Sequence, residues 1–355
     1  MKFAFLIHPL EPADMRRKYP FFRPFSDRMI ERILLMMKPK IAGRITGIQS
    51  PDGKRTEGIF IGVALTPKMF MELPLETVYR KLEMAVELAK REGCGIVGFG
   101  AFTSVVGDGG TTIHDRTGFP ITTGNSYTVA TAIEGTLDAC NRVGIDRKQA
   151  TLAVVGATGS IGRACAEVMA PEFGHVILVG RDLPRTKAVA AEIPGAEATT
   201  DLEAIKMADV LVTVTSSDAE LIQPEHLKQG AIICDVARPR DVSVRVGRER
   251  PDVLAIEGGV IEVPGNFQST FDFGFPPGTA YACMSETFML ALEDRAECFT
   301  LGKSVSSEQV RESQEMAKRL GFKLAGYRSF ERAVQPEQIE RVRQARHQAS
   351  AAMGG

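Results

Sequence analysis

The sequence predicts an α/β fold in which an N-terminal α/β domain precedes a doubly wound parallel sheet and C-terminal helices. After Ala150, short β-branched runs alternate with helical segments, and a glycine-rich loop joins the first of these runs to a helix. This alternation is typical of a Rossmann-type parallel sheet. The 355 residues are enough for about two domains of roughly 150 residues each. We expect an N-terminal substrate domain at 1–145, the doubly wound domain at 146–275, a helical element at 276–335 and a tail at 336–355.

The first 150 residues predict a mixed α/β domain. Apolar residues at period two indicate strands, and apolar residues at a spacing of 3.6 indicate helices. The pair Asp52-Gly53 between two apolar runs is typical of a hairpin turn. The predicted elements are a strand at Lys2–Ile7, hairpin strands at Ile41–Ile48 and Gly58–Leu65, a helix at Leu75–Arg91, a buried strand in Gly95–Val106, and a small-residue helix ending near Gly144.

The rest of the chain predicts five parallel strands followed by helices. The strands are expected at Leu152–Gly156, His175–Gly180, Asp209–Thr215, Ala231–Ala237 and Val253–Ile256, and the helices at Ala280–Cys298 and Ser307–Leu320. The segment from Glu337 is rich in Arg, Gln and Ala, and we expect the last residues, which end in Met353-Gly354-Gly355, to form a frayed helix or a disordered tail.

Composition excludes several functional classes. The formal charge is −1, which disfavours a general nucleic-acid binder. The six cysteines have scattered spacings without a C-x-x-C pair, and the five histidines are dispersed, so we expect neither a disulfide framework nor a metal site. The N-terminus lacks the features of a signal peptide, and no apolar run reaches the roughly 18 residues needed to span a bilayer. A cytoplasmic protein with at most peripheral membrane contact is the expectation.

The glycine-rich loop at 156–162 predicts dinucleotide binding. Glycines allow a tight turn and close approach to a pyrophosphate, whose charge the first amides of the following helix can bind. Strand, loop, helix and second strand occur here in the required order, although a glycine turn kept for packing is the alternative. The candidate cofactor residues of the loop are Gly156, Ala157, Thr158, Gly159, Ser160, Ile161 and Gly162.

The end of the second strand of this domain bears on the choice of cofactor. Arg181 stands where a guanidinium can bind a 2′-phosphate, which favours NADPH over NADH. Asp182 keeps the alternative open, because a shift of one residue would direct a carboxylate to the ribose. Thr215 and Ser216 stand at the end of the predicted strand Asp209–Thr215, where they either contact the cofactor or form an ordinary turn.

Common catalytic motifs are absent, which leaves a cysteine as the candidate nucleophile. No tyrosine is followed by Lys at the fourth position, and neither G-x-S-x-G nor H-E-x-x-H occurs. Cys283 follows a Pro-Pro-Gly loop and lies near the start of a predicted helix, where the thiolate is favoured. Such a thiolate could accept an acyl group as a thioester for reduction by hydride. From position alone, a small buried hydrophobic side chain is the alternative.

Five motifs, taken in order, resemble the long-chain fatty acyl-[acyl carrier protein] reductases of the cyanobacterial type. They are Gly100-Ala-Phe-Thr-Ser-Val, Thr122-Thr-Gly-Asn-Ser-Tyr-Thr128, Val154-Val-Gly-Ala-Thr-Gly-Ser-Ile-Gly162, Glu257-Gly-Gly-Val-Ile-Glu262 and Tyr281-Ala-Cys-Met-Ser-Glu286. The wider superfamily looks like shikimate dehydrogenase and glutamyl-tRNA reductase. Ser160 departs from the family pattern, in which an acidic residue is expected, and the segment after Val334 resembles an extension.

The resemblance implies NADPH-dependent reduction of a fatty acyl thioester to a fatty aldehyde through an acyl-enzyme on Cys283. The substrate would be a long-chain acyl-ACP or acyl-CoA, with acyl carrier protein as a partner. Donors to the reaction's oxyanion are expected on segments that face the cofactor cleft in this superfamily, namely Thr103, Ser104, Asn125 and Ser126. The resemblance also implies that Gly258 and Gly259 contact the cofactor.

Two further features allow two interpretations each. His114 could supply a proton, or it is a solvent-exposed histidine in a loop beside Asp115. The basic and apolar segment from Arg16 to Met37 could gate an acyl tunnel and attract an acidic carrier or a membrane, or it packs on the core with a solvated basic face.

Two other functions remain open. One is a shikimate-dehydrogenase-like oxidoreductase acting on a hydroxy or keto acid without covalent catalysis, and the other is a non-enzymatic NADP-binding regulator.

Overall fold

The computed structural model describes residues 1–9, 11–215, 220–237, 240–257, 259–271, 276–330 and 332–353. Within these ranges, none of the helices combines the length and the apolar character that crossing a bilayer requires.

Strands and helices alternate through most of the chain. The strands are β1 Phe3–Ile7, β2 Lys40–Gln49, β3 Arg55–Gly62, β4 Ile96–Phe99, β5 Ile121–Thr122, β6 Thr151–Val155, β7 His175–Val179, β8 Ala196–Thr199, β9 Val210–Thr213, β10 Ile232–Asp235, β11 Leu254–Ile256, β12 Gly259–Glu262, β13 Gly265–Ser269, β14 Thr279–Tyr281, β15 Lys323–Ser329 and β16 Arg332–Ala333. The helices are α1 Pro12–Lys18, α2 Asp27–Met36, α3 Pro67–Glu72, α4 Leu75–Arg91, α5 Phe102–Val105, α6 Thr111–Thr117, α7 Asn125–Val143, α8 Ser160–Met169, α9 Leu183–Ala191, α10 Val244–Glu249, α11 Ala282–Leu292, α12 Ser307–Leu320 and α13 Pro336–Met353.

The chain forms two compact units. The first contains 1–127, 261–304 and 315–323, and the second contains 128–260, 305–314 and 324–355. The predicted α/β class is confirmed, whereas the domain boundaries at 145 and 275 remain predictions.

The first unit is built on a mixed six-stranded sheet. Its order is β13-β2-β3-β1-β4-β5, with β1 parallel to β3 and β4, and β4 parallel to β5. Strand β2 runs antiparallel to β3 through the hairpin predicted from Asp52-Gly53, and Gly53 has φ +88°. The carboxyl ends of the parallel strands therefore meet at one edge of this sheet, which is where loops of such sheets carry functional groups.

Alternation along β1 determines what covers each face of this sheet. Ala4 and Leu6 pack in one cluster with the apolar residues of α4, the helix predicted over Leu75–Arg91. Phe3, on the opposite face, stacks on Phe288 of α11 with ring centroids 4.9 Å apart. Helix α11 thus lies buried against the sheet on the side opposite α4.

The predicted buried strand in Gly95–Val106 is shorter than expected. Strand β4 ends at Phe99, and the chain turns at Ala101, whose φ of +49° is incompatible with a continuing strand. Helix α5 follows at once. Phe102 of α5 packs against the same core cluster as Val97 and Phe99 of β4, so hydrophobicity alone could not separate the two elements.

The second unit contains the doubly wound sheet. Its order is β11-β10-β9-β6-β7-β8, and each neighbouring pair is parallel. The five predicted strands are present, and β8 at Ala196–Thr199 is a sixth strand that the sequence did not indicate. Only partly buried, β8 lies at the edge of the sheet and lacks a β-branched apolar run.

The segment rich in Arg, Gln and Ala forms α13, which packs on the second unit. Gly354 and Gly355, at the end of the expected tail, lie outside the described residues. Val342 and Ala345 are buried in it. The Arg346 guanidinium lies 2.9 Å from the Asp209 carboxylate, which also binds Lys228 at 2.8 Å. Apolar burial and this ion pair hold the helix in place.

Candidate functional site

Cys283 is the second residue of α11, immediately after the short strand β14. Every other residue of this helix, all of which the structure describes, is buried, and Cys283 alone is partly exposed. The predicted helix over Ala280–Cys298 is therefore shorter, since it starts at Ala282 and ends before Asp294, which has φ +54°. A partly exposed cysteine on an otherwise buried helix is the first component of a candidate site.

The loop after β5 lies directly against this cysteine. Gly124 has φ +72°, and a β-carbon added to it would lie 2.4 Å from the Cys283 α-carbon. Any side chain at position 124 would therefore collide with the helix. The close approach brings the candidate residue Asn125, which is half-buried and starts α7, into the loop segment beside the thiol.

Glu286 joins the same loop to α11 from inside the protein. Its side chain is fully buried, accepts a hydrogen bond from the Thr122 hydroxyl, and accepts another from the Tyr127 amide at 2.9 Å. Burial raises the pKa of this carboxyl in spite of these hydrogen bonds. The two ends of the 122–127 loop are thereby attached to the helix that carries Cys283.

Burial also determines the state of the thiol. It raises the pKa of Cys283 to about 12, while hydrogen bonding with the Met284 and Cys283 backbone acts in the opposite direction and is outweighed. The nearby Glu286 carboxylate adds to the increase. The expectation that the helix N-terminus favours the thiolate is therefore wrong, because desolvation is the larger effect.

Both serines that were expected to donate to the oxyanion have hydroxyl groups that form hydrogen bonds within the protein. Ser104 lies in α5, and its hydroxyl donates to the Ala101 carbonyl at 2.7 Å, which supports the strained turn after β4. Ser126 is fully buried and pairs with the Thr300 hydroxyl at 2.7 Å. Thr103, on the same turn as Ser104, donates to the Gly100 carbonyl at 2.8 Å.

His114 is neither in a loop nor fully exposed. It lies half-buried in α6, with Nδ1 2.9 Å from the Phe119 carbonyl oxygen and 3.3 Å from the Cys298 sulfur. These contacts connect His114 to Cys298 and to the end of its own helix. They assign it no part at Cys283.

In the second unit, the glycine-rich loop has the geometry that a pyrophosphate needs. Gly156 has φ +87°, and a β-carbon at Gly162 would lie 2.3 Å from the Gly156 carbonyl oxygen. At Gly159, an added β-carbon would meet only that same oxygen, at 3.4 Å, so this side of the loop is open. Helix α8 begins at Ser160 and directs its first amides to the loop, so the residues fit a dinucleotide.

Arg181 and Asp182, whose roles the sequence left open, have different surroundings at the end of β7. Asp182 caps α9, because its carboxylate accepts the Arg185 amide at 3.0 Å. Arg181 is exposed beside it. Since the carboxylate is engaged at the helix, the guanidinium is the group that remains available for a cofactor phosphate.

Asp241 is a residue of this region that sequence reasoning missed. It is fully buried and accepts hydrogen bonds from the Thr213 hydroxyl at 2.5 Å and the Thr215 amide at 2.8 Å. It thereby fixes the end of β9 and the residues just after it, where the Thr215 methyl carbon would lie 3.3 Å from a β-carbon on Gly156. Gly259 begins β12, and the candidates Ser216 and Gly258 lie outside the described residues.

Comparison with known proteins gives matches that agree with this arrangement. Residues 139–257 match the shikimate / quinate 5-dehydrogenase family. A long-chain acyl-[acyl-carrier-protein] reductase of Synechococcus elongatus is 28% identical over 302 residues, which cover 80% of this chain and 87% of that protein.

Two further matches each cover part of this chain or part of the matched protein. The aminotransferase PigE of a Serratia species is 25% identical over 311 residues, which cover 84% of this chain and only 36% of that protein. The nucleotide-binding domain of glutamyl-tRNA reductase from Thermoplasma volcanium has 22% identity and a TM-score of 0.27, covering 35% of this chain and 84% of that chain.

The predicted resemblance to acyl-[acyl carrier protein] reductases is confirmed by these findings. The chain is a reductase with a Rossmann-type domain for a nicotinamide cofactor. The substrate, the product, the phosphate specificity of the cofactor and the role of each site residue remain predictions.

Proposed function

We propose that the protein reduces a long-chain fatty acyl thioester, carried by acyl carrier protein or coenzyme A, to a fatty aldehyde with NADPH. The observation that carries this proposal is the position of Cys283, the only partly exposed residue of the fully described helix α11 and in direct contact with the Gly124 loop. The similarity to a long-chain acyl-[acyl-carrier-protein] reductase supports the substrate class.

The reaction needs two steps at this sulfur. In the first, the Cys283 sulfur attacks the acyl carbon, the carbon–sulfur bond to the carrier breaks, and the thiol proton ends on the carrier thiol. In the second, hydride adds to the acyl carbon, the bond to Cys283 breaks, and aldehyde leaves while the cysteine regains a proton. Overall, acyl thioester, NADPH and one proton give aldehyde, free carrier thiol and NADP⁺.

The protonated state of the Cys283 thiol is useful in these two reaction steps. A pKa near 12 keeps Cys283 as the thiol when no substrate is present, which protects it from oxidation. Because the leaving carrier thiolate needs a proton, the proton lost by Cys283 balances the first step.

Each step also generates an oxyanion, which needs donors in place before the reaction. Asn125 follows the glycine that contacts Cys283, so its amide group is the proposed donor. Ser104 and Ser126 are proposed to support this site, the first through the turn after β4 and the second through Thr300.

The proposed cofactor site comprises the 156–162 loop, Arg181, Thr215, Ser216, Gly258 and Gly259. NADPH supplies the hydride when bound. The chain's own contribution is to bind the pyrophosphate at the start of α8 and the 2′-phosphate at Arg181.

The match to the shikimate / quinate 5-dehydrogenase family favours one other candidate. That candidate is an NADP-dependent oxidoreductase that acts on a small hydroxy or keto acid without a covalent intermediate. It predicts that Cys283→Ser retains full activity, whereas the acyl-reductase proposal predicts loss of aldehyde formation.

Gas chromatography of products from purified protein, NADPH and a panel of acyl donors tests the proposed function. Long-chain aldehyde, formed in proportion to NADPH consumed, is the expected result. Alcohol as the main product would show a second reduction that the proposal does not include, and absence of both products would refute it.

A further inference from the structure

Helix α2 carries an unusual exposed surface, which we name the Arg/Met face. It consists of Arg28, Met29, Arg32 and Met36, all exposed, with Met29 at 47% and Met36 at 77% exposure. A methionine is the kind of side chain that packs against irregular partner surfaces. Two such residues exposed beside two arginines on ten residues of helix therefore suggest contact with another molecule.

The face follows from the helical repeat. At 100° per residue, these four positions fall within an arc of about 100°, while Ile30 and Leu34 point the other way and are fully buried. The Ser26 hydroxyl accepts the Met29 amide and fixes the start of the helix. The face therefore belongs to a capped helix whose opposite side is buried in the core.

Its charges are not neutralised within the described part of the chain. Neither Arg28 nor Arg32 forms an ion pair there, whereas Glu31, on the flank, is 3.8 Å from Lys68 of α3. Just before the helix, Phe21 is 62% exposed and stacks on buried Phe22 with centroids 4.1 Å apart. The face is basic and partly apolar, so it complements an acidic surface that carries some apolar groups.

The face is also linked to the edge of the sheet where the candidate loops lie. Lys68 of α3 contacts α2, and Phe70 of the same helix packs against His8, with ring centroids 5.2 Å apart. His8 follows β1, and its Nε2 accepts the Phe102 amide at 3.3 Å at the start of α5, the helix that contains Ser104. Helix α2, which carries the Arg/Met face, is thus connected through α3 to the carboxyl edge of the parallel strands of the first unit.

We propose that the Arg/Met face docks an acidic carrier protein that presents the acyl thioester on a flexible arm. This inference rests on the proposed function. Arginine binds carboxylates in pairs, which suits a protein partner with exposed Asp and Glu. A lipid surface is less well matched, because two methionines on a ten-residue helix offer little apolar area for insertion.

The variant Arg28→Glu/Arg32→Glu tests the inference, because both side chains are exposed and their reversal leaves the core intact. We expect KM for the acylated carrier protein to rise about tenfold or more. The rise in KM should be larger at low salt, as for charges that steer association. KM for acyl-pantetheine of the same chain length, which carries neither phosphate nor protein, should stay unchanged.

A matched control reverses two charges at the opposite edge of the same unit. Lys90→Glu/Arg91→Glu has the same change in net charge, on exposed residues at the end of α4 just before β4. We expect KM for acyl-carrier to change less than twofold in this variant.

Direct binding separates failure of this inference from failure of the proposed function. Fluorescence anisotropy with labelled holo-carrier should show about a tenfold weaker complex for the Arg28/Arg32 variant than for wild type and control. Equal carrier affinity in all three proteins overturns the docking surface even if aldehyde is formed. Weakened binding only to anionic vesicles, or a raised KM only for acyl-CoA, also overturns it. Normal docking without aldehyde from any donor refutes the proposed function instead.

Discussion

Gly124 approaches Cys283 so closely that a β-carbon on the glycine would lie 2.4 Å from the α-carbon of the cysteine. No side chain fits between the loop after β5 and the start of α11. Position 124 therefore determines how near Asn125 comes to the sulfur.

Gly124→Ala should reduce both activity and stability. The residue has φ +72°, where alanine costs about 1–3 kcal/mol, and the methyl group must also displace α11. We expect at least a tenfold lower kcat for aldehyde formation, measured with saturating NADPH, and a lower Tm. The matched control is Gly93→Ala, which has φ +75° but no heavy atom within 4 Å of the added carbon. If both variants lose the same activity, the contact with Cys283 has no special role.

Glu286→Gln should change how stability depends on pH. Burial raises the pKa of this carboxyl in the folded chain above its unfolded value of about 4.3. At a pH below the pKa that Glu286 has in the unfolded chain, its contribution to the free energy of unfolding is fully present. This contribution is lost as pH rises toward the pKa of Glu286 in the folded chain, because the carboxyl ionises more easily in the unfolded chain. The glutamine variant cannot ionise.

The free energy of unfolding of wild type should therefore fall relative to Glu286→Gln as pH rises above about 4.3, at most by about 1.4 kcal/mol per pH unit. Urea unfolding between pH 4 and 8 measures the difference. A difference independent of pH would mean that this carboxyl has an ordinary pKa.

Much of the fold could be predicted, because local patterns determine it. The Asp52-Gly53 hairpin and helix α4 agree with expectation, since turn chemistry and a 3.6-residue repeat specify them. The edge strand β8 has no such pattern. The end of β4 depends on the positive φ of Ala101, which an alanine gives no reason to expect.

The candidate site was only partly predictable for a related reason. Sequence motifs indicated Cys283 and the glycine loop, but the bonds of Glu286 to Thr122 and Tyr127 span more than 150 residues. The signal that could have indicated Glu286 was a lone acidic residue within an apolar helix, three positions after the cysteine. Asp241 gave no comparable signal, because its role depends on the return of its loop to β9.

Cys283 should react slowly with alkylating agents when no substrate is bound. A pKa of about 12 leaves very little thiolate at pH 8, whereas an ordinary cysteine with a pKa of about 8.5 is substantially ionised there. Mass spectrometry of peptides after iodoacetamide treatment should show labelling at least tenfold slower than for N-acetylcysteine, rising up to pH 10. Rapid labelling with a plateau below pH 8 would indicate an activated resting thiolate.

Arg181→Ala should discriminate between the two nicotinamide cofactors. We expect KM for NADPH to rise about tenfold through loss of the charged contact to the 2′-phosphate, with no change in KM for NADH. Arg185→Ala, on an exposed neighbour in α9, is the control and should leave both values unchanged. An equal rise for both cofactors would show that Arg181 does not contact the 2′-phosphate.

The most direct test of the account is the intact mass of the protein after incubation with a long-chain acyl thioester in the absence of NADPH. The account predicts a mass increase of one acyl group that maps to Cys283, is absent from Cys283→Ser, and disappears with release of aldehyde when NADPH is added. Absence of any acyl adduct, together with full activity of Cys283→Ser, would contradict it.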